Sequence, residues 1–300
     1  MDFDFYINRY RDVKIRYGRS RQLKSNLVNH YINHGIFQGR QISKVATRNG
    51  LQNLLETYSS KSILEIGPFT NPIVRGKNVK YFDVGNKEYL IEKATQMSES
   101  ERLKFSIENI PDIDFVDPNG NLSTVNQKFD VIVSSHSIEH QPNLIDHLNK
   151  VSSLLNSGGE YYVNCPDKRY SFDYYNNLTK LIDVVSADIE KRVLHPIRNL
   201  FEGSVCITHN NAIDHWMGNH GALPSGEYKL ERIKSLAEKI SQNRDSYIDV
   251  HSWYFTPLNF AMIIKELNSL SLIDIGVAKI YPTVVEKKGF VAILKRLVET

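Results

Sequence analysis

Five stretches of the chain are nearly continuous in apolar residues, each interrupted by one or two polar ones. They are Ile63-Leu64-Glu65-Ile66, Val79-Lys80-Tyr81-Phe82, Ile113-Asp114-Phe115-Val116, Phe129-Asp130-Val131-Ile132-Val133-Ser134-Ser135 and Glu160-Tyr161-Tyr162-Val163-Asn164. Short apolar runs bounded by turn residues read as strands buried on both faces, the pattern of a parallel sheet. Between them the period lengthens to that of a helix at 49–59, at 88–96, and from Pro142 onward, where Leu144, Leu148, Val151 and Leu155 share one face. Pro142 is expected at the start of that helix and Gly158-Gly159 at its stop. The link 67–78 is short for a full crossover helix and leaves room for one or two turns or an irregular loop. Thr256 and Pro257 form an N-cap and first turn ahead of Phe260, Ile263, Ile264 and Leu267. Residues 272–280 and 289–294 then read as two strands joined by a turn. The alternation predicts an α/β fold with a mostly parallel sheet and a C-terminal antiparallel hairpin.

Two segments stand apart from this alternation. Residues 1–45 are Tyr-rich and basic, with Leu27, Tyr31 and His34 at helical spacing and Gly35 as a C-cap. They predict a small helical unit of two short helices, too few to bury a core of their own. The α/β domain then occupies 46–300. Within it, residues 171–252 form a long polar insert rich in His and Asn.

With 300 residues and 41% of them hydrophobic, the chain is long enough for one large domain and a small one. A net charge of +3 is too mild to imply nucleic acid as partner. Two cysteines, Cys165 and Cys206, make no disulfide framework and fit a reducing compartment. No apolar run approaches the roughly 18 residues of a membrane span, and the N-terminus carries acids where a secretory signal carries bases. The expected location is the cytoplasm.

Candidate chemistry gathers at the strand ends, where open α/β sheets hold their ligands. Gly67 follows the first strand, allowing a sharp turn and a close ligand. Asp83 ends the second strand, placed to accept both hydroxyls of a ribose. Asp117 follows the third and suits an adenine amine, with Asp114 as the alternative. Ser135 and His136 end the fourth. The dinucleotide pattern Gly-x-Gly-x-x-Gly is absent, since Pro68, Phe69 and Thr70 follow Gly67. This disfavours a pyrophosphate ligand and tolerates a nucleoside that carries an amino acid. No Walker pattern is present.

On these residues the chain resembles the class I S-adenosylmethionine-dependent methyltransferases, a Rossmann-like family. The segments that carry the likeness, over roughly 60–295, are Leu64-Glu65-Ile66-Gly67-Pro68 with Asn71-Pro72, the run 129–140, Leu155-Asn156-Ser157-Gly158-Gly159, Pro166-Asp167-Lys168-Arg169-Tyr170-Ser171-Phe172-Asp173 and Val250-His251-Ser252-Trp253-Tyr254-Phe255-Thr256-Pro257. Within the family it looks like a branch found beside polysaccharide and glycosyltransferase enzymes. The first forty residues resemble a module that accompanies glycan-building enzymes, with Arg11 and Gln38 departing from its pattern. The glycine motif also departs from the family's Glu-x-Gly-x-Gly-x-Gly.

The resemblance implies S-adenosylmethionine as cofactor, held by Glu65, Gly67, Pro68, Asp83, Asp117 and Ser135. It implies a saccharide or glycan acceptor, O-methylation, and a glycosyltransferase as neighbour. His136 then lies where the methyl group is delivered and becomes the candidate general base. Asp167 and His251 are the further catalytic candidates. Lys168 and Arg169 either bind the acceptor or pair with Asp167. His251 and Trp253 wall a sugar site, His140 packs or caps, and the insert 171–252 forms an acceptor lid. His209, Asp214, His215 and His220 lack metal-ligand spacing, so no metal is expected. The competing readings are a catalytically silent scaffold subunit and, more weakly, a nucleotide-sugar oxidoreductase.

Overall fold

Successive residues of the central strands point into two different cores. In a computed structural model, which describes residues 1–36, 38, 40–97, 106–242 and 247–297, seven strands form one sheet. They are β1 (Ile63–Ile66), β2 (Val79–Asp83), β3 (Phe115–Val116), β4 (Phe129–Ser135), β5 (Leu155–Pro166), β6 (Ile275–Tyr281) and β7 (Gly289–Arg296). Leu64, Ile132, Tyr161 and Val163 enter the cluster on one face, while Ile63, Val131, Val133 and Tyr162 enter the cluster on the other. Burial on both faces explains why the strands read as continuous apolar runs.

The strand order is β3-β2-β1-β4-β5-β7-β6. Strands β1 to β5 are mutually parallel, and β7 runs antiparallel to both β5 and β6. The order reverses between β1 and β4, which opens a crevice at their carboxyl ends. The expected α/β sheet with its terminal antiparallel hairpin is therefore the observed one.

On the first face pack α6 (Leu144–Leu154) and α11 (Pro257–Ser269), with Leu148, Val151, Ile263 and Leu267 buried. Thr256 caps α11 by accepting from the N–H of Asn259. The other face is covered by α4 (Arg48–Leu55) and shares its cluster with the N-terminal helices α1 (Phe3–Arg9), α2 (Arg11–Tyr17) and α3 (Leu23–His30). The other α-helices among the described residues are α5 (Lys87–Thr95) after β2 and, in the insert, α7 (Leu181–Ile189), α8 (Ile197–Val205), α9 (Ala212–Trp216) and α10 (Gly226–Gln242). No helix of the described residues is long and apolar enough to cross a membrane.

Several expectations need correction. The N-terminal unit has three α-helices, and α3 runs into a π-turn (Tyr31–Gly35). Gly35 does not end a helix with a left-handed cap. It lies against Tyr6, whose hydroxyl oxygen would sit 2.5 Å from an added Cβ. Phe37 and Gly39 of the module motif lie outside the described residues. Tyr6, Ile7, Val13 and Leu27 belong to the same cluster as Ile63, Val131 and Val291, so the unit is part of the core over that face. Its motif residues hold it together: Tyr6 bonds His30 (3.0 Å), Arg40 forks onto Asp12 (2.9 and 2.7 Å), and Tyr10 OH accepts from the N–H of Gln41 (2.7 Å).

Helix α6 is capped by Asn143, which accepts from the N–H of Asp146, so Pro142 precedes the cap. The helix ends at Leu154, before the glycine pair. Pairing jumps from Phe129↔Leu155 to Val131↔Glu160, and Gly158, at φ +75°, takes the turn of that bulge. The link after β1 is an irregular loop. The buried Glu65 carboxylate fixes it by accepting from the N–H groups of Ile73 (2.6 Å) and Val74 (3.2 Å).

Candidate active site

The carboxyl ends of β1, β2 and β4 supply the residues of the crevice. Gly67 leaves β1 at φ +68°, and an added Cβ would meet Ser137 Oγ at 3.3 Å. Only glycine reaches this conformation without strain, and the missing side chain leaves the backbone open to a ligand. Pro68 is buried behind it. The carboxylate of Asp83, buried at the end of β2, accepts from the N–H of Phe69 (3.2 Å) and of Val84 (2.7 Å). Each oxygen keeps a lone pair for a further donor. Burial raises its pKa, with the two N–H groups opposing. Asp117 lies in the turn after β3, where one oxygen accepts from the N–H groups of Asn119 and Asn121. Asp114 is spent on Lys80 and the N–H of Tyr81 at the strand edge.

Ser135 accepts from Asn164 at 2.8 Å. The next residue, His136, sits at φ +53°, a conformation that strains a non-glycine residue. Its N–H donates to Asn164 O, which fixes the turn, and its side chain is 33% exposed.

Below His136 lies a buried polar cluster. Glu139, fully buried in the turn Ile138–His140, has neither carboxylate oxygen hydrogen-bonded. Around its Oε1 stand His136 Nδ1 (3.5 Å), His251 Nε2 (3.9 Å) and His140 Nε2 (4.0 Å). His251 Nδ1–H donates to Asp173 at 2.6 Å, and His140 Nδ1 faces Asp249 at 2.9 Å. Burial pushes the Glu139 pKa up, but the imidazoles outweigh it and leave the group below its ordinary value. For His140, burial opposes protonation, yet Asp249 and Glu139 carry its pKa to about 9. Asp249 also stands 3.9 Å from Lys93 of α5.

The spacing thus gathers His136 and His251 into one site and leaves Asp167 out. Asp167 is fully buried, and its carboxylate is saturated by the backbone and guanidinium of Arg169 and by Thr283 (2.7 Å). It clamps β5 to the loop before β7 and has no oxygen to give a substrate. Lys168 donates to Tyr174 O. Glu65 faces its own loop rather than the crevice. Trp253 is core, its indole N–H donating to Gln141 O at 2.6 Å. His140, expected to pack or cap, is a member of the cluster. The ring nitrogens of His209 are spent on Asn219 O and on the N–H of Asn211, and those of His215 on His209 O and on His220. A cleft of about 210 Å³ lined by Thr179, Arg198, Glu202 and Tyr254 contains none of the strand-end residues.

Sequence reading missed Glu139, Asp173 and Asp249. The signal for Glu139 was present: His136, Glu139 and His140 follow a strand end at spacings of three and one. Asp173 closes the 166–173 segment that carries the resemblance but was given no role, and Asp249 has no local signal.

A family model described as a methyltransferase domain matches residues 69–219, half of the chain. The chain belongs to that methyltransferase family. Its methyl donor is S-adenosylmethionine, and a silent scaffold or an oxidoreductase is set aside. No curated protein matches the chain. Similar solved structures include the CcbJ methyltransferase from Streptomyces caelestis, at 12% identity and TM-score 0.41, covering 87% of this chain and 98% of that one. An S-adenosylmethionine-dependent methyltransferase from Clostridium acetobutylicum has the same identity and TM-score over 92% and 99%. The glycopeptide N-methyltransferase MtfA has 14% identity and TM-score 0.28, covering 41% of this chain and 55% of that one.

The crevice of this methyltransferase suits that donor. The Gly67 cradle leaves space a Cβ would fill, Asp83 offers acceptors to a diol, and Asp117 offers one to an amine. No second glycine follows to receive a pyrophosphate, and S-adenosylmethionine has none.

Proposed function

We propose that this methyltransferase methylates a hydroxyl group of a saccharide or glycan precursor, with His136 as the general base. The observation that carries the reading is His136 itself, held at φ +53° at the switch point of the sheet, part-exposed, with Nδ1 3.5 Å from a buried carboxylate. Strain of this kind persists where surrounding structure enforces it and is common at active sites.

Gly67, Asp83 and Asp117 hold the donor. Bound S-adenosylmethionine supplies a methyl carbon on a sulfonium, which leaves as a neutral thioether when that carbon is attacked. His136 receives the proton released from the hydroxyl, and the Glu139 carboxylate balances the charge the imidazole gains. The insert 171–252 serves as the acceptor wall. In support, it contributes Asp173, Asp249 and His251 to the cluster, and Phe172 packs on His251 at 4.9 Å.

The saccharide assignment rests on the resemblance of the 166–170 segment and of residues 1–45 to glycan-associated proteins. We read the N-terminal helices as the module through which the enzyme meets a glycosyltransferase. Their exposed Ile15 and Ile32 are available for such a contact.

The test is calorimetry with S-adenosylmethionine and S-adenosylhomocysteine, followed by mass spectrometry over oligosaccharide and nucleotide-sugar acceptors. A gain of one methyl group on oxygen is expected. Methylation confined to amine acceptors would overturn the reading.

A further inference from the structure

Glu139 is a fully buried carboxylate set among three imidazoles at ion-pair distance, with neither oxygen hydrogen-bonded. A buried carboxylate without a partner is among the costliest arrangements in a protein interior. Both oxygens of Glu139 lack a hydrogen bond, and ion pairs with imidazoles are what offsets their burial. Of the imidazole nitrogens that face Glu139, His136 Nδ1 stands 3.5 Å away, and the Nε2 atoms of His140 and His251 stand 3.9–4.0 Å away, beyond hydrogen-bond reach.

The imidazoles are oriented alike. His251 gives its Nδ1–H to Asp173 and turns Nε2 toward Glu139. His140 likewise turns Nε2 toward Glu139, and its Nδ1 stands 2.9 Å from Asp249 as an ion-pair contact without hydrogen-bond geometry. An outer carboxylate on one ring nitrogen, with the other nitrogen facing inward, is how proteins fix the tautomer of a metal-binding histidine. Glu139, His140 and His251 each offer a ligand atom, and these lie within 4.8 Å of one another, the only such group found among the described residues. Three carboxylates, Glu139, Asp173 and Asp249, surround the two imidazoles, with Lys93 3.9 Å from Asp249.

We propose that Glu139, His140 and His251 bind a divalent cation of intermediate softness, of the Mn²⁺ to Zn²⁺ series. Two imidazoles and one carboxylate suit such ions better than Ca²⁺ or Mg²⁺, which prefer all-oxygen shells. Bond lengths near 2.1 Å require the three atoms to draw together by several tenths of an ångström, within the range of side-chain adjustment. Three protein ligands leave coordination positions open, and His136 borders them. An acceptor oxygen entering there would be polarised as its proton passes to His136. The existence of the site is independent of the O-methylation reading. Its use in catalysis rests on that reading.

The experiment uses the full chain, stripped with a chelator and titrated with Mn²⁺ by electron paramagnetic resonance and with Zn²⁺ by calorimetry, without acceptor. One ion per chain is expected, with a rise in melting temperature. Glu139→Gln should abolish uptake while keeping S-adenosylmethionine binding, which separates this site from the donor reading. Asp173→Asn should weaken it about 10–100-fold, the usual loss when a ligand's outer partner is removed. If Glu139→Gln does not fold, His251→Gln takes its place. Failure of the stripped parent to take up either ion would overturn the proposal, as would unchanged uptake by the folded Glu139→Gln or His251→Gln variant.

Discussion

The backbone N–H of Ile73 donates to the carboxylate of Glu65 across 2.6 Å, and this bond shapes the donor side of the crevice. It lets a twelve-residue link (67–78) join two parallel strands without a helix. Glu65→Gln can satisfy only one of the two N–H groups, because its amide nitrogen is a donor. An unmet buried N–H costs about 1–3 kcal/mol. The variant should lose stability of that order in denaturant titration and bind S-adenosylmethionine more weakly, because Phe69 and Asp83 are tied to the same loop.

Stability should also carry a pH signature from two buried groups of opposite sign. Burial raises the Glu65 pKa to about 7 from an ordinary 4.5. The folded state thus holds this proton more tightly than the unfolded one, and the associated stability is complete below pH 4.5 and lost as pH rises to about 7. Burial in α6 lowers the His147 pKa to about 3 from 6.5, with Lys150 adding to it. Here the folded state binds fewer protons, so stability is complete above pH 6.5 and lost as pH falls toward 3. Each group contributes a slope of up to about 1.4 kcal/mol per pH unit within its window. His147→Gln should flatten acid destabilisation below pH 6.5. An unchanged slope would show that His147 titrates normally.

Asp83→Ala should weaken S-adenosylmethionine binding by about 1.5–3 kcal/mol, the range for hydrogen bonds to a charged group. Calorimetry on the folded variant checks this, and unchanged affinity would remove Asp83 from the donor site.

Removal of residues 1–45 should destabilise the protein strongly. Read from composition, the segment looks detachable, and a chain starting near Ala46 would fold and bind its donor. The shared cluster of Tyr6, Val13 and Leu27 with Ile63, Val131 and Val291 argues otherwise. Truncation uncovers apolar surface worth about 25 cal/mol per Å². A truncated chain with unchanged melting temperature and donor affinity would restore the separable-module view.

The contrast shows which features are local. Strands β1 and β4 are legible because burial on both faces leaves no room for alternation. The crevice is legible because Gly67, Asp83 and His136 each sit one step past such a run. Helical spacing in α3 reveals that Leu27 is inward but not which surface covers it. Gly158 carries the same letter in a bulge as in a cap. Asp167 looks free until Arg169 folds back on it and Thr283 arrives from 116 residues away. Asp173 and Asp249 reach His251 and His140 only through the tertiary path of the insert, which has no period to read.

His136 gives the sharpest test of the mechanism. Its ring is anchored by position rather than by hydrogen bonds: the backbone N–H is fixed to Asn164 O, and the turn Ile138–His140 brings Glu139 beneath it. If the imidazole accepts the hydroxyl proton, His136→Ala should lower turnover about 10²–10⁴-fold, the range for losing a general base. S-adenosylmethionine affinity should hardly change, because the lost interaction is with the acceptor. His136→Gln keeps a polar side chain at the end of β4 but cannot take the proton, so it should be nearly as slow as alanine. A purely structural His136 would behave differently, with glutamine recovering most of the rate and alanine lowering melting temperature along with turnover. Single-turnover methylation with both variants, beside their melting curves, separates the two. A glutamine variant within about tenfold of the parent, short of the general-base range, would remove His136 as the base.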